Sequence, residues 1–417
     1  MIATVYPSKL SGTVDAIPSK SMAHRLLICA AMTEGFTRIR CSASSQDIDA
    51  TITCLKAMGS NITRIGNYYI VPKVKVHPGQ TVHLDCNESG TTLRLMMCIA
   101  AGLGLCAYFE GSDRLFLRPL DPLVDALTSH GIVISRDENN RIIQSGKAIP
   151  GDFSITGDVS SQFISGLIMM LPLCGGGSVT VTGDFESKPY VDLTASALKE
   201  ADVKVSCDDR TYTVGGRYDL RDTSIEGDWS NASFWLSAAA LGNEVSVKGL
   251  DLNSVQGDRG ITEILSRFGA EIKTQNECVS AKGNELAGIE IDATNVPDLV
   301  PVLAVVAAAA KGTTGIFGAK RLRLKESDRL ATVTDMINNL GGNCKITDDG
   351  IVITGNGKLS GGEVDACRDH RIAMSAAIAA TICDSPVVIK DAGAVGKSYP
   401  DFFRDMENLG AKLRLEE

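Results

Sequence analysis

Leu265-Ser266-Arg267-Phe268-Gly269-Ala270-Glu271-Ile272-Lys273 reads as the end of one element and the start of the next. A helix stops on Gly269, where a left-handed backbone costs a glycine little, and Ala270 to Lys273 alternates with the period of a strand. The same Leu-x-x-x-Gly signature returns at Leu55–Gly59, Leu127–Gly131, Ile337–Gly341 and Met406–Gly410, with Leu198–Asp202 as a degenerate copy, at a period of about seventy residues. About half a period earlier, each unit has a strand, a short polar loop and a helix of small apolar residues. These helices include Arg25–Met32, Leu93–Ala101, Phe163–Leu171, Ala232–Leu241, Leu299–Ala310 and Ile372–Thr381. Six units of strand, helix, strand, helix, strand predict an α/β fold. The helices carry few polar positions on any face, which points to burial on all sides, as in helices enclosed by sheets; a doubly wound sheet also satisfies the pattern.

The chain has 417 residues, 44% hydrophobic and 22% charged, which predicts two domains of ordinary size and order almost throughout. Its longest apolar stretch, Leu299 to Ala310, is too short for a bilayer span, and the N-terminus lacks an apolar signal core, so a cytoplasmic protein without a membrane partner is expected. The twelve cysteines form no C-x-x-C pair and read as reduced core thiols. A net charge of −9 argues against nucleic acid as a partner but leaves room for a small anionic substrate in a locally basic cleft.

The unusual residues concentrate in the loops that precede the small-residue helices. These loops read Lys20-Ser21 with Arg25, Glu88-Ser89-Gly90 with Arg94, Ser160-Ser161-Gln162, Asp228 to Asn231, Asp298, and Asp369-His370-Arg371. Loops in the second half of the units add Arg118, Ser187 to Tyr190, Lys325-Glu326 with Arg329, and Lys397. Taken singly, each has a bland reading. Lys20-Ser21 and Ser160-Ser161-Gln162 suit helix caps, Lys325 to Arg329 suits a solvated charged face, and Asp298 suits an N-cap as well as a catalytic carboxylate. Taken in phase, they form a set rich in Arg, Lys and Ser, suited to a phosphate and a carboxylate. No His-x-x-x-His, dinucleotide or P-loop motif is present, so neither a metal nor a cofactor is expected.

Several stretches together carry a family resemblance: Pro18-Ser19-Lys20-Ser21 through Arg25, Ser89-Gly90-Thr91-Thr92-Leu93-Arg94, Leu117-Arg118-Pro119-Leu120, Val159-Ser160-Ser161-Gln162-Phe163, Ser187-Lys188-Pro189-Tyr190, Pro297-Asp298, Leu324 to Arg329, Asp369-His370-Arg371 and Gly396-Lys397. Nearly end to end, the chain resembles the 5-enolpyruvylshikimate-3-phosphate synthases, or 3-phosphoshikimate 1-carboxyvinyltransferases. The resemblance implies two inside-out α/β barrels of three repeats each, residues 1–13 with 226–417 and residues 14–225, with the active site in the cleft between them. It implies that phosphoenolpyruvate and shikimate 3-phosphate are the substrates and that glyphosate occupies the phosphoenolpyruvate site; a monomer is expected. Shikimate 3-phosphate contacts then fall to Lys20, Ser21, Arg25, Ser160, Ser161, Gln162, Ser187, Tyr190, Asp298 and Lys325. Phosphoenolpyruvate contacts fall to Lys20, Gly90, Arg118, Gln162, Arg329, Arg371 and Lys397, with the Arg329 and Arg371 forks on the carboxylate. Glu88 and Arg321 depart from the residues common in relatives and are not assigned to the site.

The chemistry implied is attack of a shikimate hydroxyl on C2 of phosphoenolpyruvate with protonation of C3, then loss of phosphate. Asp298 is the expected base, with Glu326 and Lys397 exchanging the proton at C3. The related UDP-N-acetylglucosamine enolpyruvyl transferases carry a loop cysteine where this chain reads Glu110-Gly111-Ser112-Asp113-Arg114. An RNA 3′-phosphate cyclase would need a nucleophilic histidine, for which His370 is the candidate. Retention of both proton-transfer carboxylates speaks against a non-catalytic binding protein.

Overall fold

The computed structural model describes residues 1–138, 141–275 and 277–417. The chain divides into two compact units, residues 1–17 with 226–417 and residues 18–225. Strand Ser11–Asp15 pairs in parallel with Glu244–Lys248, so the first unit keeps the chain through Ile17, past the break read near Thr13. The N-terminal strand Ile2–Tyr6 lies between Val387–Lys390 and Lys412–Glu416 in the same unit.

Among the described residues, all six sheets have four strands and one topology, a parallel pair continued by two antiparallel strands. In the sheet of Phe36–Arg40, for example, the short parallel strand Thr223–Ser224 lies on one side, and Tyr68–Pro72 and then Thr63–Ile65 on the other. Thr37 and Ile39 are buried while Phe36, Arg38 and Arg40 are exposed, so this sheet turns one face to a core and one to water.

Within each unit the core is built on three helices. They are Lys20–Met32, Gly90–Leu103 and Ser161–Cys174 in one, and Trp229–Ala240, Val300–Ala309 and His370–Ala379 in the other. Nearly every residue of these helices is buried, including all ten of His370–Ala379, so they lie inside the sheets as their composition requires. This arrangement excludes the doubly wound alternative. Most begin earlier than their apolar runs suggest because the polar loop supplies the first turn. The glycines of the repeat signature are left-handed, with φ between +82° and +108° at Gly59, Gly131, Gly269, Gly341 and Gly410, and Asp202 adopts +55° in the degenerate copy. All twelve cysteines are free thiols, but Cys207 is exposed, because it lies on the edge strand Lys204–Asp208 rather than in a core. Among the described residues no helix is long and apolar enough to cross a membrane.

The helices Gly90–Leu103 and Ser161–Cys174 approach closely through glycines. A Cβ on Gly166 would lie 2.6 Å from Cys98 Sγ and 3.0 Å from the Arg94 carbonyl, and one on Gly102 would lie 3.0 Å from both Leu173 Cβ and Met170 Cγ. Gly166→Ala is therefore expected to cost about 1–3 kcal/mol by overpacking. Gly215→Ala, where nothing lies within 4 Å, is the control expected to change little. Urea denaturation of the two variants checks this, and equal midpoints would contradict the packing account.

Candidate active site

Each buried helix begins with backbone N–H groups that need a partner, and the two units meet that need differently. In the unit 18–225 the caps are serines. Ser19 accepts from Met22 N at 3.3 Å, Ser89 from Thr92 N at 3.2 Å and Ser160 from Gln162 N at 3.3 Å. Neutral caps leave the positive ends of three helix dipoles uncompensated, and basic side chains gather there as well. Arg94, buried on the second helix, donates to Gln162 Oε1 at 2.7 Å, and Gln162 Nε2 donates to Thr91 Oγ1 at 2.8 Å. Gly90 lies beneath two guanidinium groups, since a Cβ there would come within 2.6 Å of both Arg94 Nη1 and Arg118 Nη1. Lys20 pairs with Asp47 at 2.9 Å, and the Asp47 carbonyl accepts from Thr92 Oγ1 at 3.4 Å, which ties the first helix to the second. The structure thus gathers Gly90, Arg118 and Gln162 around Arg94, a residue seen in the sequence as part of a loop but not assigned to the site.

Arg25 anchors a second group. It is 2% exposed and donates to Thr194 Oγ1 at 2.7 Å, the Ser21 carbonyl at 2.6 Å and the Tyr190 carbonyl at 3.0 Å. All these acceptors are neutral, and among the described residues no carboxylate pairs with it. Burial lowers its pKa to about 10. A buried cation with neutral partners is a physical reason for an anion to bind nearby. Tyr190 reaches this place because Ser187, left-handed at φ +51°, starts the helix Lys188–Glu200. Ser161 is buried in the first turn of its helix beside Gln162.

In the unit 1–17 with 226–417, the corresponding caps are aspartates. Asp228 accepts from Asn231 N at 2.7 Å and Asp369 from Arg371 N at 3.0 Å. Asp298, read as a possible cap, makes no such bond. It stands on the 3-10 turn Pro297–Leu299, and its carboxylate is drawn to cations instead. Arg329 Nη1 donates to Asp298 Oδ1 at 2.7 Å, Arg371 Nη2 to Oδ2 at 3.0 Å, and Lys325 Nζ lies 3.7 Å from Oδ1. Arg371 Nη1 also donates to the Asp298 carbonyl at 3.2 Å. Arg329, 1% exposed, is gripped from three sides, donating through Nε to Asp369 at 2.7 Å and through Nη2 to Glu326 at 2.8 Å. Lys397 donates to the Arg368 carbonyl at 2.7 Å, just before Asp369. The structure thus brings Asp298, Lys325, Glu326, Arg329 and Arg371 into one cluster, with Lys397 on its border. His370 and Arg321 are buried beside it.

The electrostatics follow from this crowding. Burial alone would raise the proton affinity of Asp298, but Arg371, Lys325 and Arg329 outweigh it and hold the carboxyl well below its ordinary range. Burial, with Arg321 and Arg329, lowers Lys325 to about 8 against the pull of Asp298. Burial would lower Arg329 too, yet Asp369, Glu326 and Asp298 keep it firmly protonated.

Fold and clusters together define a class: an inside-out α/β barrel protein of six repeats, with basic side chains gathered at the ends of its buried helices. The chain belongs to the EPSP synthase (3-phosphoshikimate 1-carboxyvinyltransferase) family, whose model matches residues 5–406. It is 40% identical over 421 residues to the 3-phosphoshikimate 1-carboxyvinyltransferase of Clostridium novyi (strain NT), covering 97% of each chain. It is 41% identical over 419 residues to the enzyme of that name from Clostridium perfringens (strain SM101 / Type A), covering 99% of each. Its fold is similar to the EPSP synthase of Acinetobacter baumannii, with a TM-score of 0.82 and 25% identity over 99% of this chain and 100% of that one.

Removing Arg329 leaves the carboxylates of Asp298, Glu326 and Asp369 without their shared cation. Arg329→Met is expected to destabilise the protein by about 3–5 kcal/mol at pH 7. Because Asp298 titrates below its unfolded value, its stabilising pairing is present above the ordinary carboxylate range and is lost as pH falls through the depressed pKa. The difference between wild type and variant should therefore shrink on acidification, which urea midpoints at neutral and acidic pH measure. A difference that grows towards low pH would contradict it.

Proposed function

We propose that this chain transfers the enolpyruvyl group of phosphoenolpyruvate to the 5-hydroxyl of shikimate 3-phosphate and releases phosphate, in the shikimate pathway to chorismate and aromatic amino acids. The observation that carries the reading is the Asp298–Arg329–Arg371–Lys325–Glu326 cluster in a chain of the EPSP synthase family. Shikimate 3-phosphate is assigned to Lys20, Ser21, Arg25, Ser160, Ser161, Gln162, Ser187, Tyr190, Asp298 and Lys325. Supporting this are the serine-capped helix ends and the buried, neutrally partnered Arg25, which suit a phosphate dianion. Phosphoenolpyruvate is assigned to Lys20, Gly90, Arg118, Gln162, Arg329, Arg371 and Lys397.

Asp298 is the base that takes the proton of the attacking hydroxyl. The oxygen bonds to C2 of phosphoenolpyruvate while C3 gains a proton from Glu326 or Lys397. The tetrahedral adduct then loses phosphate as a C3 proton returns to the protein. Two of the three cations that hold Asp298, Arg329 and Arg371, are the ones assigned to the phosphoenolpyruvate carboxylate. An arriving carboxylate shares Arg371 and Arg329 with Asp298, and the weaker hold on Asp298 raises its proton affinity when a base is needed.

Asp298→Asn is expected to reduce kcat roughly 10²-fold or more while shikimate 3-phosphate affinity stays within about tenfold. Steady-state phosphate release and calorimetric binding measure the two, and near-normal turnover would remove Asp298 from the base role. Gly90→Ala should push aside the Arg94 and Arg118 guanidinium groups and raise the phosphoenolpyruvate KM about tenfold, the loss of about one charge-assisted hydrogen bond. The melting temperature should hold, because the displaced atoms end flexible side chains. An unchanged KM in the folded variant would take Gly90 and Arg118 out of the substrate site.

A further inference from the structure

One histidine among the inner helices has no part in the reaction as assigned above. His24 lies on the helix Lys20–Met32, next to Arg25, and is fully buried. Its Nδ1 meets Thr51 Oγ1 at 2.7 Å. Thr51 is equally buried, on the helix Gln46–Ala57, and its hydroxyl meets Thr92 Oγ1 at 2.8 Å. Thr92 in turn donates to Ser89 Oγ at 2.8 Å, and Ser89 caps the helix Gly90–Leu103. Buried polar groups on three helices thus form one chain, which runs from the imidazole to the residue before Gly90. The other ring nitrogen, Nε2, has no partner among the described residues.

A hydroxyl has one hydrogen to give, and this fixes the direction of the chain. Thr92 gives its hydrogen to Ser89, with the Asp47 carbonyl farther off at 3.4 Å. It must therefore accept from Thr51, and Thr51 must accept from the ring of His24. With the proton on Nδ1, the unpartnered Nε2 carries no N–H, so no donor is stranded in the core. A charged ring would strand one. Burial, with the charges of Lys20 and Arg25, keeps the ring neutral by holding its pKa well below the ordinary histidine range.

The far end of the chain is the first turn of Gly90–Leu103. Ser89 Oγ there accepts from Thr92 N at 3.2 Å as well as from the Thr92 hydroxyl. The same turn carries Gly90 and also Thr91, whose hydroxyl accepts from Gln162 Nε2 at 2.8 Å.

We propose that His24 is a positioning residue of the phosphoenolpyruvate site: through Thr51 and Thr92 it fixes the Ser89–Gly90 turn where the helix-end amides meet the anion. The inference rests on the assignment of phosphoenolpyruvate to Gly90 above. Cutting the chain lets the Thr92 hydroxyl turn away and loosens the cap, which weakens anion binding at the helix end. The groups assigned to proton transfer, Asp298, Glu326 and Lys397, are outside this chain, so turnover at saturation should hold.

The test is the phosphoenolpyruvate KM, kcat and melting temperature of wild type, Thr51→Val, Thr51→Ser and Gly90→Ala, with shikimate 3-phosphate affinity by calorimetry. Thr51→Val keeps the volume and cuts the chain, and should raise the KM about fivefold while kcat and shikimate 3-phosphate affinity stay within about twofold. Thr51→Ser keeps the hydroxyl and gives up a methyl group, so it should melt lower than wild type yet retain its KM. Packing alone predicts the reverse order of KM, and that order overturns the proposal, as does an unchanged KM in folded Thr51→Val. Nitrogen-15 magnetic resonance of the wild-type ring, assigned through the His24 backbone, decides the matter even if Thr51→Val does not fold. The proton should sit on Nδ1, and the Nδ1 signal should shift on saturation with phosphoenolpyruvate alone. A proton on Nε2, or a signal indifferent to phosphoenolpyruvate, overturns the proposal. If Gly90→Ala leaves the KM unchanged, the site assignment itself fails. If Gly90→Ala raises it and Thr51→Val does not, only the present inference fails.

Discussion

A helix buried on every side cannot leave its first amides to water, and six such helices impose that constraint six times on this chain. One unit answers with the hydroxyls of Ser19, Ser89 and Ser160. The other places aspartates at the equivalent ends, and two of them, Asp228 and Asp369, cap their helices. This choice of cap sets the chemistry of each unit. Neutral caps leave positive helix ends beside Arg25, Arg94 and Arg118, a setting for anions. Charged caps need cations of their own, and Arg329 and Arg371 supply them.

Asp298 is the exception. Because it does not cap, its carboxylate is available to three cations and, by the proposed reading, to a substrate hydroxyl. The same network holds structure and prepares chemistry. Arg329 satisfies three carboxylates at once, and a buried cation so engaged gives an incoming carboxylate entry by exchange rather than by simple addition. An ion-pair cluster of this kind gains little stability over apolar packing, but it leaves charges whose balance shifts when a further anion arrives.

Much of the fold was legible because its signals are local. The left-handed glycine after each helix and the absence of polar residues from the inner helices are short-range facts, and both appear in the structure. The loops of the site could be found from their phase in the repeat. Their partnerships could not, because they link distant positions: Arg329 with Asp369 and Arg94 with Gln162 are separated by 40 and 68 residues. Arg94 offered a signal, an arginine inside an otherwise apolar helix, that alone does not distinguish a ligand contact from a structural one. Asp298 as a cap was a reasonable expectation that the surrounding cations override.

In enolpyruvyl transfer one phosphorus leaves phosphoenolpyruvate while the phosphate of the acceptor stays in place. Phosphorus-31 magnetic resonance of the protein with phosphoenolpyruvate and shikimate 3-phosphate in one tube reads both fates together. The phosphoenolpyruvate signal should be replaced one for one by inorganic phosphate while a phosphate-ester signal persists in a new product, and neither change should occur when UDP-N-acetylglucosamine replaces the shikimate 3-phosphate. Loss of the ester signal, or phosphate release with the sugar nucleotide instead, would contradict enolpyruvyl transfer to shikimate 3-phosphate.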